Sequence, residues 1–310
     1  MRYGDAVEDE ADVPEVESDD GLESWLRRRM PERGLRPRSS AVLELLISQP
    51  RRASFGSTGE IAQLAGVNVA TVTRTAQALG FAGWPALQQE LRARYLSSLS
   101  APQVAEEHTS TGSAAADSVR RDFDSLALLK SRFDEAGITL VATAVATARR
   151  TVVIADGSYA AVGIAFAHNA RLAGYDVHAV TGGDAELANQ TAKMTADDVL
   201  IAISFWRLYA STVLAANEAH DRGARVFAIT DAASPALAGA AEHVLMVPAE
   251  GVAFFPSLTA GVALVQAIVA QLAAVDPDRT SKSIEAAEAM WTRFDLLQRR
   301  PGLTTRKNQP

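Results

Sequence analysis

Five short apolar runs in the second half of the chain constrain its fold more than any other feature. Each run holds four to six residues, and segments with turn residues and helical spacing separate them. The runs are residues 151–155, 177–180, 199–203, 225–230 and 244–247. Short apolar strands that alternate with helices predict a parallel sheet covered on both faces, and right-handed crossovers make it doubly wound.

A different pattern lies between Thr58 and Gly80. It predicts two short helices joined by a tight turn, in which Gly66 is left-handed and Asn68 caps the second helix. Apolar spacing gives each helix a buried side: Ile61, Ala62, Leu64 and Ala65 in the first, and Val72, Ala76 and Leu79 in the second. This pattern is typical of a helix-turn-helix, whose second helix enters the major groove of DNA. An ordinary helical hairpin with a glycine turn is the alternative.

The second helix also predicts which side chains face double-stranded DNA. Residues just after its cap are small enough to approach bases, and Arg74 lies one turn beyond Ala70, within reach of a guanine edge or a phosphate. The candidate DNA-binding residues are Asn68, Val69, Ala70, Thr71, Thr73, Arg74 and Gln77. Thr75 is the weakest position of the pattern, because a larger aliphatic residue normally packs there.

Charge is distributed unevenly along the chain. The formal net charge is −7, yet residues 21–98 hold eleven arginines against five glutamates, whereas residues 1–20 hold nine acidic residues and one arginine. The helix-turn-helix therefore lies in a basic segment of an acidic chain, and guanidinium groups suit bidentate contacts with phosphate. A solvated charged surface is the alternative for the run Arg27–Arg29.

Composition and spacing divide the chain into five parts. We expect an acidic, disordered tail at 1–20, the helix-turn-helix domain at 21–98, a polar linker at 99–112, the α/β domain at 113–297 and a C-terminal tail at 298–310. Further helices are expected over 22–30, from Ser39 or Ser40 to before Pro50, from Pro85, and over 115–148. Ser257 is expected to cap a long apolar helix that ends near Leu272.

Composition also narrows the function classes. The chain has no cysteine, which excludes disulfides and thiolate metal sites, and its five histidines show no metal-ligand spacing. No G-x-S-x-G or P-loop motif occurs, and Gly157 alone is too little for a dinucleotide fingerprint. We expect no metal, no cofactor and no membrane partner. Because no apolar run is long enough for a span and no signal peptide is recognisable, we expect a cytoplasmic protein.

The order of the parts resembles the RpiR/MurR-type transcriptional regulators, whose second domain is a SIS (sugar isomerase) domain. The resemblance covers roughly residues 22–297. It is carried by Glu60–Arg74 with Leu79–Gly83 in the first domain, and by Asp197–Ser204, Gly223–Thr230 and Ser234–Leu237 in the second. The resemblance implies an all-helical N-terminal domain, a SIS-like sheet of flavodoxin-like strand order, a homodimer or homotetramer, and a response to a sugar phosphate or a related anion.

One loop departs from the family pattern. SIS domains follow the third strand with Ser-x-Ser-Gly-x-Thr, whose small residues let backbone N–H groups surround a phosphate. Here the loop reads Ser204-Phe-Trp-Arg-Leu-Tyr209, so that Trp206 and Arg207 replace the small residues. We expect Arg207 to clamp an anion with its side chain, with Trp206 and Tyr209 as walls. The alternative is that Arg207 pairs with an acid such as Asp156 and that nothing binds.

Strand ends supply the remaining candidates for an effector site, because ligands of open α/β sheets bind at the carboxyl ends of the strands. The candidate effector-binding residues are Asp156, Gly157, Ser158, Ser204, Trp206, Arg207, Tyr209, Thr230 and Ser257. Thr230 together with Asp231 is equally well explained as a helix cap.

These observations predict a DNA-binding transcriptional regulator whose α/β domain oligomerises and senses a small, anionic, sugar-derived metabolite. A sugar-phosphate isomerase-type enzyme is one alternative, but it needs a positioned Glu or His, and the strand ends offer Asp156 and Asp231 instead. A DNA-bound scaffold whose second domain binds no ligand is the other. We expect no catalytic residues, and we expect the apolar helix over 258–272 to form the oligomer contact.

Overall fold

The computed structural model describes residues 21–107, 112–232, 234–252 and 255–296. The predicted tails at residues 1–20 and 298–310 lie outside the described residues. The chain divides into two compact units, Met1–Ser98 and Leu99–Pro310. Each unit has its own hydrophobic core.

The regular elements among the described residues of the first unit are all helices. Its elements are α1 (Leu22–Arg28), α2 (Pro37–Ser48), α3 (Pro50–Phe55), α4 (Thr58–Leu64), α5 (Val69–Ala78) and α6 (Trp84–Ser97). Their apolar sides converge on one core, in which Leu26, Leu46 and Leu87 are fully buried. The N-terminal all-helical domain predicted from the sequence is therefore confirmed.

Two helix starts in this unit differ from the sequence prediction, and one helix is missing from it. α2 begins at Pro37, after Arg36, rather than at Ser39 or Ser40, because the φ angle of proline is preset for a first helical turn. α6 begins at Trp84, one residue before Pro85. α3 is absent from the prediction, since its six residues are too few to show a helical period.

The second unit alternates strands with helices after three leading helices. The leading helices are α7 (Ala101–Glu107), α8 (Ala114–Ser131) and α9 (Glu135–Thr147). The remaining elements are β1 (Arg150–Ala155), α10 (Ala160–Leu172), β2 (Val177–Val180), α11 (Asp184–Thr191), β3 (Asp198–Ser204), α12 (Ala210–Asp221), β4 (Arg225–Thr230), α13 (Pro235–Ala238), β5 (His243–Met246), α14 (Thr259–Val275) and α15 (Pro277–Arg293). One 3-10 turn, Gly157–Tyr159, separates β1 from α10.

All five strands are parallel and lie in the order β2-β1-β3-β4-β5. The predicted doubly wound, five-stranded sheet of flavodoxin-like order is therefore confirmed. Helices α9, α10 and α14 cover one face, and α11 and α12 cover the other. Because the strand order reverses between β1 and β3, the carboxyl ends of these two strands border the crevice where ligands of such sheets bind.

Two helical segments before the sheet also differ from the sequence prediction. The expected linker at residues 99–112 contains α7. The expected helical stretch over 115–148 is two helices, because Asp134 starts a new one by accepting a hydrogen bond from the backbone N–H of Gly137 at 2.9 Å.

Helix α14 packs within its own unit, and the oligomer contact predicted for it stays a prediction. It begins at Thr259, with Leu258 in the N-cap position, and the hydroxyl of Ser257 accepts from the backbone N–H of Thr259 at 3.3 Å, as a capping side chain does. It packs against α9 and α10 inside its own unit, and its buried residues are Ala260, Gly261, Leu264, Val265, Ile268 and Leu272. The apolar length of α14 thus needs no second copy of the chain to explain it.

Among the described helices, none is by itself long and apolar enough to cross a membrane. Only α14 and α15 taken together satisfy that test of length and composition, and they meet at 106°.

Candidate functional site

The turn between α4 and α5 has the geometry that the sequence predicts. Gly66 has a φ of +64°, in the left-handed region that favours glycine. The backbone N–H of Val67 donates to the carbonyl of Ala62 at 2.9 Å and closes the turn. Asn68 caps α5, since its Oδ1 accepts from the backbone N–H of Thr71 at 2.9 Å.

Packing of the two helices follows the predicted pattern with one exception. Ile61 and Ala62 of α4 are buried, as are Val72 and Ala76 of α5, whereas Leu64 keeps 39% of its surface exposed. Leu64 is thus wrongly assigned to the buried side. Thr75 is fully buried, and its hydroxyl donates to the carbonyl of Thr71 at 2.8 Å, which satisfies the polar group in a position where an aliphatic residue is usual.

One face of α5 is open to solvent. Asn68, Val69, Ala70, Arg74 and Gln77 are exposed, and Thr73 is half-buried. Thr71 is the exception among the candidate DNA-binding residues, because only 5% of its surface is exposed. It lies one helical turn from the buried Thr75, and its hydroxyl donates to Asn68 Oδ1 at 2.9 Å, so that it supports the cap instead of facing a ligand.

Arg74 folds back on its own helix. Its Nε donates to the carbonyl of Ala70 at 3.2 Å, and its Nη2 donates to the hydroxyl of Thr71 at 3.4 Å. The guanidinium therefore lies beside the exposed face of α5, and Arg74 is itself exposed.

Several arginines of the basic segment hold the first unit together. Arg27 forms ion pairs with Glu23 at 2.8 Å and Glu44 at 3.4 Å, and Arg29 stacks on the ring of Trp25 at 5.0 Å. Arg94 is buried and lies 4.4 Å from the centre of the Trp25 ring. Exposed guanidinium groups remain on other arginines, namely Arg33, Arg36, Arg38, Arg52 and Arg74. Structural contacts therefore account for part of the run Arg27–Arg29.

In the second unit, the loop after β1 brings an acid and a left-handed glycine to the edge of the sheet. Gly157 has a φ of +58°, and an added Cβ would lie 3.0 Å from the hydroxyl of Tyr209. Burial, followed by the nearby charge of Asp184, raises the pKa of Asp156 above its ordinary value. Ser158 is exposed beside them. The predicted residues Asp156, Gly157 and Tyr209 therefore meet at one place.

The loop after β3 uses its backbone donors within the protein. Trp206 has a φ of +60°, and its N–H donates to Asp231 Oδ1 at 2.8 Å. The N–H of Arg207 donates to the carbonyl of Phe205 at 2.6 Å. The hydroxyl of Ser204 donates to the carbonyl of Arg207 at 3.0 Å. These N–H groups therefore do not form an open phosphate cradle, because the N–H of Trp206 is already bonded to the carboxylate of Asp231.

Arg207 is exposed and does not pair with Asp156. Its Nη2 donates to the carbonyl of Leu99 at 2.8 Å, and its guanidinium lies 4.8 Å from the centre of the Trp206 ring. The alternative in which Arg207 pairs with an acid is therefore not seen, because its partner is a backbone carbonyl, and the anion clamp stays a prediction.

Tyr159 is a site residue that sequence reasoning does not identify. Its ring packs edge-on against Phe205 at 5.2 Å and is 4% exposed. Burial raises the pKa of Tyr159 to about 12, opposed by a hydrogen bond with the backbone of Arg207. Tyr159 therefore links the loops after β1 and β3. The available signal was an aromatic residue directly after Gly157-Ser158.

The last two effector candidates have structural partners. The hydroxyl of Thr230 donates to the carbonyl of Ala232 at 3.0 Å. Ser257 donates to Asp122 Oδ1 at 2.5 Å, and Thr259 donates to Asp122 Oδ2 at 2.8 Å. Asp122 thereby joins α8 to the start of α14, a contact that the sequence does not indicate.

Comparison with known sequences identifies both units. Residues 26–98 match the helix-turn-helix domain of the rpiR family, and residues 144–276 match the SIS domain. The chain is 29% identical over 234 residues to YfhH, an HTH-type transcriptional regulator of Escherichia coli K12, in a match that covers 74% of this chain and 83% of YfhH.

Two solved structures are similar as well. The sugar isomerase domain of an RpiR transcription factor from Sphaerobacter thermophilus is 26% identical with a TM-score of 0.54, and covers 56% of this chain and 98% of its own. The NanR protein of Vibrio vulnificus, in complex with ManNAc-6P, shares the fold at 19% identity with a TM-score of 0.57, over 90% of this chain and 100% of its own. The chain thus joins a helix-turn-helix domain of the rpiR family to a SIS domain, in the manner of an HTH-type transcriptional regulator.

Proposed function

We propose that this regulator binds its operator through α5 and senses a small, anionic, sugar-derived metabolite at the carboxyl edge of the SIS sheet, without catalysing a reaction. In this proposal it acts in the cytoplasm as a homodimer or homotetramer. The observation that carries the ligand part is the exposed guanidinium of Arg207, which lies at the end of the central strand β3.

The exposed face of α5 supports the DNA part. Small side chains at Val69, Ala70 and Thr73 leave room for base edges, and Arg74 adds a cation beside them. Exposed guanidinium groups elsewhere in the first unit supply the sequence-independent attraction to phosphates. Asn68 and Gln77 complete the DNA-reading surface that we propose, and Thr71 is left out of it.

Two kinds of group at the SIS edge suit a sugar-derived anion. Arg207 offers donors for a phosphate or carboxylate. Asp156 and the hydroxyl of Ser158 offer acceptors for the hydroxyl groups of a sugar. An inorganic anion such as phosphate has no sugar hydroxyls to fill these acceptors. A sugar phosphate such as the ManNAc-6P bound by NanR combines both kinds of group, which makes this class the first to test.

The enzyme alternative finds less support at the same edge. The loops at 156–159, 205–209 and 231–234 contain no glutamate or histidine. Asp231 accepts a backbone hydrogen bond from Trp206, and Glu250, which follows β5, forms an ion pair with Arg121 at 2.7 Å. A general base for proton transfer beside a carbonyl needs a carboxylate or imidazole free to reach substrate, and these loops leave that role to Asp156.

A thermal-shift screen of the full chain tests the ligand part. We expect one or more sugar phosphates, ManNAc-6P among them, to raise the melting temperature of the wild type, because a ligand that binds only the folded state stabilises it. Arg207→Ala should remove the shift. Arg222→Ala, which removes another exposed arginine at the end of α12, should keep it.

The outcomes separate the three candidate functions. No shift with any sugar phosphate or sugar acid, in a protein that selects a specific operator from random DNA, favours the scaffold. Conversion of the stabilising sugar phosphate, followed by nuclear magnetic resonance, favours the enzyme. A shift without conversion supports the sensor.

A further inference from the structure

Helix α15 has no buried residue, although it is 17 residues long. Its exposed apolar side chains include Ile284 at 40%, Met290 at 48% and, just past its end, Phe294 at 69%. A helix that is stable in a folded protein normally buries one apolar side. The described residues of this chain cover that side of α15 only in part: Ala287 and Trp291 are half-buried, while Ile284 and Phe294 stay exposed.

The start of α15 is firmly attached to its own unit. Asp276 caps it by accepting from the N–H of Arg279 at 2.9 Å. Nε of Arg279 donates to the carbonyl of Gly174 at 3.0 Å, and its guanidinium lies 4.4 Å from the centre of the Tyr175 ring. The hydroxyl of Thr280 donates to the carbonyl of Ala173 at 3.4 Å. The anchored first turn, together with the 106° bend from α14, sets the direction of the helix.

The apolar side chains of the second half form one stripe. Ile284, Ala287, Trp291 and Phe294 follow one another at intervals of three, four and three residues. This is the spacing with which two helices pack along a shared seam. The stripe contains no charged residue, so that two copies of it meet without like-charge repulsion at the seam.

The charges beside the stripe favour an antiparallel second copy over a strongly charged partner. The first half of α15 holds Arg279 and Lys282 against Asp278, and its second half holds Glu285 and Glu288 against Arg293. The first half thus has an excess of one positive charge and the second half an excess of one negative charge. Antiparallel packing sets each half opposite its complement, while the helix as a whole is neutral and offers nothing to DNA or an anionic membrane.

We infer that α15 pairs with α15 of a second copy of this chain, in an antiparallel arrangement, along the stripe Ile284, Ala287, Trp291 and Phe294. The inference rests on the proposed homo-oligomer and names its contact. It assigns the oligomer interface to α15 and not to the apolar helix α14, whose large residues Leu264, Ile268 and Leu272 are already buried.

Crosslinking of the full chain tests this pairing directly. The chain has no cysteine, so that one introduced cysteine is unique. Ala287→Cys puts a thiol on the stripe, and Ala289→Cys puts one about 200° around the helix, on the opposite side. With a short bismaleimide, Ala287→Cys should yield a covalent dimer and Ala289→Cys should yield little. An oligomeric protein without a crosslink at Ala287, or with equal crosslinking at both positions, overturns the inference.

Sedimentation of Trp291→Glu supplies a second measurement. The dissociation constant of the dimer should rise at least about 30-fold, as for a central contact residue. Thr292→Glu, which adds the same charge beside the stripe, should change it little. An unchanged dissociation constant in Trp291→Glu, or a monomeric wild type, overturns the inference. Ala287→Cys removes no apolar contact and remains informative if Trp291→Glu fails to fold. The thermal shift with sugar phosphates does not depend on this interface. Failure of the inference therefore does not count against the proposed function, which that screen tests separately.

Discussion

Arg74 is the residue on which the proposed reading of DNA depends most. Its hydrogen bonds to Ala70 and Thr71 lie within α5, so that the side chain is held beside the surface that meets the groove. Holding an arginine there before binding reduces the rotamer entropy lost on contact with DNA. The remaining donors of the guanidinium suit a guanine edge or a phosphate.

We predict that Arg74→Ala weakens operator binding by about 1–3 kcal/mol if Arg74 contacts a base. If Arg74 reads a base, the loss of affinity should occur only with operators that keep that base pair. If Arg74 contacts a phosphate instead, the variant should bind all sequences more weakly by the same factor. Gel-shift titrations against the selected operator and its single-base variants measure this. Unchanged affinity in a folded variant would contradict the assignment.

Only part of the residue-level detail could be predicted from the sequence. Gly66 and Asn68 are local features, and each takes the conformation or bond that its type favours at that spacing. Trp206 with Asp231 and Ser257 with Asp122 are joined across 25 and 135 positions, and spacing along a chain carries no information about such pairs. The occupied backbone of the loop after β3 is therefore visible only in the structure.

At the scale of elements, strands were more predictable than short helices. Buried parallel strands are short apolar runs that no other local structure explains as well, and all five lie where such runs occur. Helices α3 and α7 are six and seven residues long and depend on their surroundings. Helix α15 has apolar spacing typical of a helix, at Ile284, Ala287, Trp291 and Phe294, and is nevertheless missing from the prediction.

Two glycines of the helix-turn-helix should respond in opposite ways to alanine. Gly59 lies inside α4, and the nearest atom to an added Cβ is 3.9 Å away, so that Gly59→Ala should stabilise the protein by about 0.4–1 kcal/mol. Gly66 also has free space, but its φ of +64° makes Gly66→Ala cost about 1–2 kcal/mol. Chemical denaturation of both variants measures the difference. Equal stability of the two would mean that the turn has another conformation.

The start of α9 should make stability depend on pH. A hydrogen bond from the N–H of Gly137, and then one with His243 at 2.6 Å, lower the pKa of Asp134 below its ordinary value. A lowered pKa contributes stability that is complete above the ordinary carboxyl pKa and is lost as the pH falls through the pKa of the folded state.

We therefore predict that Asp134→Asn destabilises the protein at neutral pH, and that its difference from the wild type shrinks as the pH falls below about 4. Asparagine keeps the cap and removes the charge, whereas Asp134→Ala should lose about 1 kcal/mol more at every pH because the cap is gone as well. Urea denaturation across this range gives both values. A difference that grows with acidification would show that the carboxylate is not stabilising.

At the scale of the whole molecule, regulation requires that ligand and DNA affect each other. Arg207 connects the proposed ligand site with Leu99, the first residue of the second unit and the position that directly follows the helix-turn-helix unit in the chain. A ligand anion that takes donors of Arg207 competes with the carbonyl of Leu99. The ligand then makes different contacts in the state with the Arg207–Leu99 hydrogen bond and in the state without it. Such a difference is the condition for a ligand to shift the equilibrium between two states.

We predict that Arg207→Ala makes ligand-free protein bind operator with the affinity of ligand-saturated wild type, because both lack the bond to Leu99. The stabilising sugar phosphate from the thermal-shift screen should change operator affinity in the wild type, and operator DNA should change the affinity for that sugar phosphate by the same factor, as linkage requires. Fluorescence anisotropy of labelled operator and calorimetric titration of the sugar phosphate measure the two factors. In Arg222→Ala, both factors should equal those of the wild type. Ligand-free Arg207→Ala that binds operator as ligand-free wild type does would show that the bond to Leu99 plays no part in the coupling.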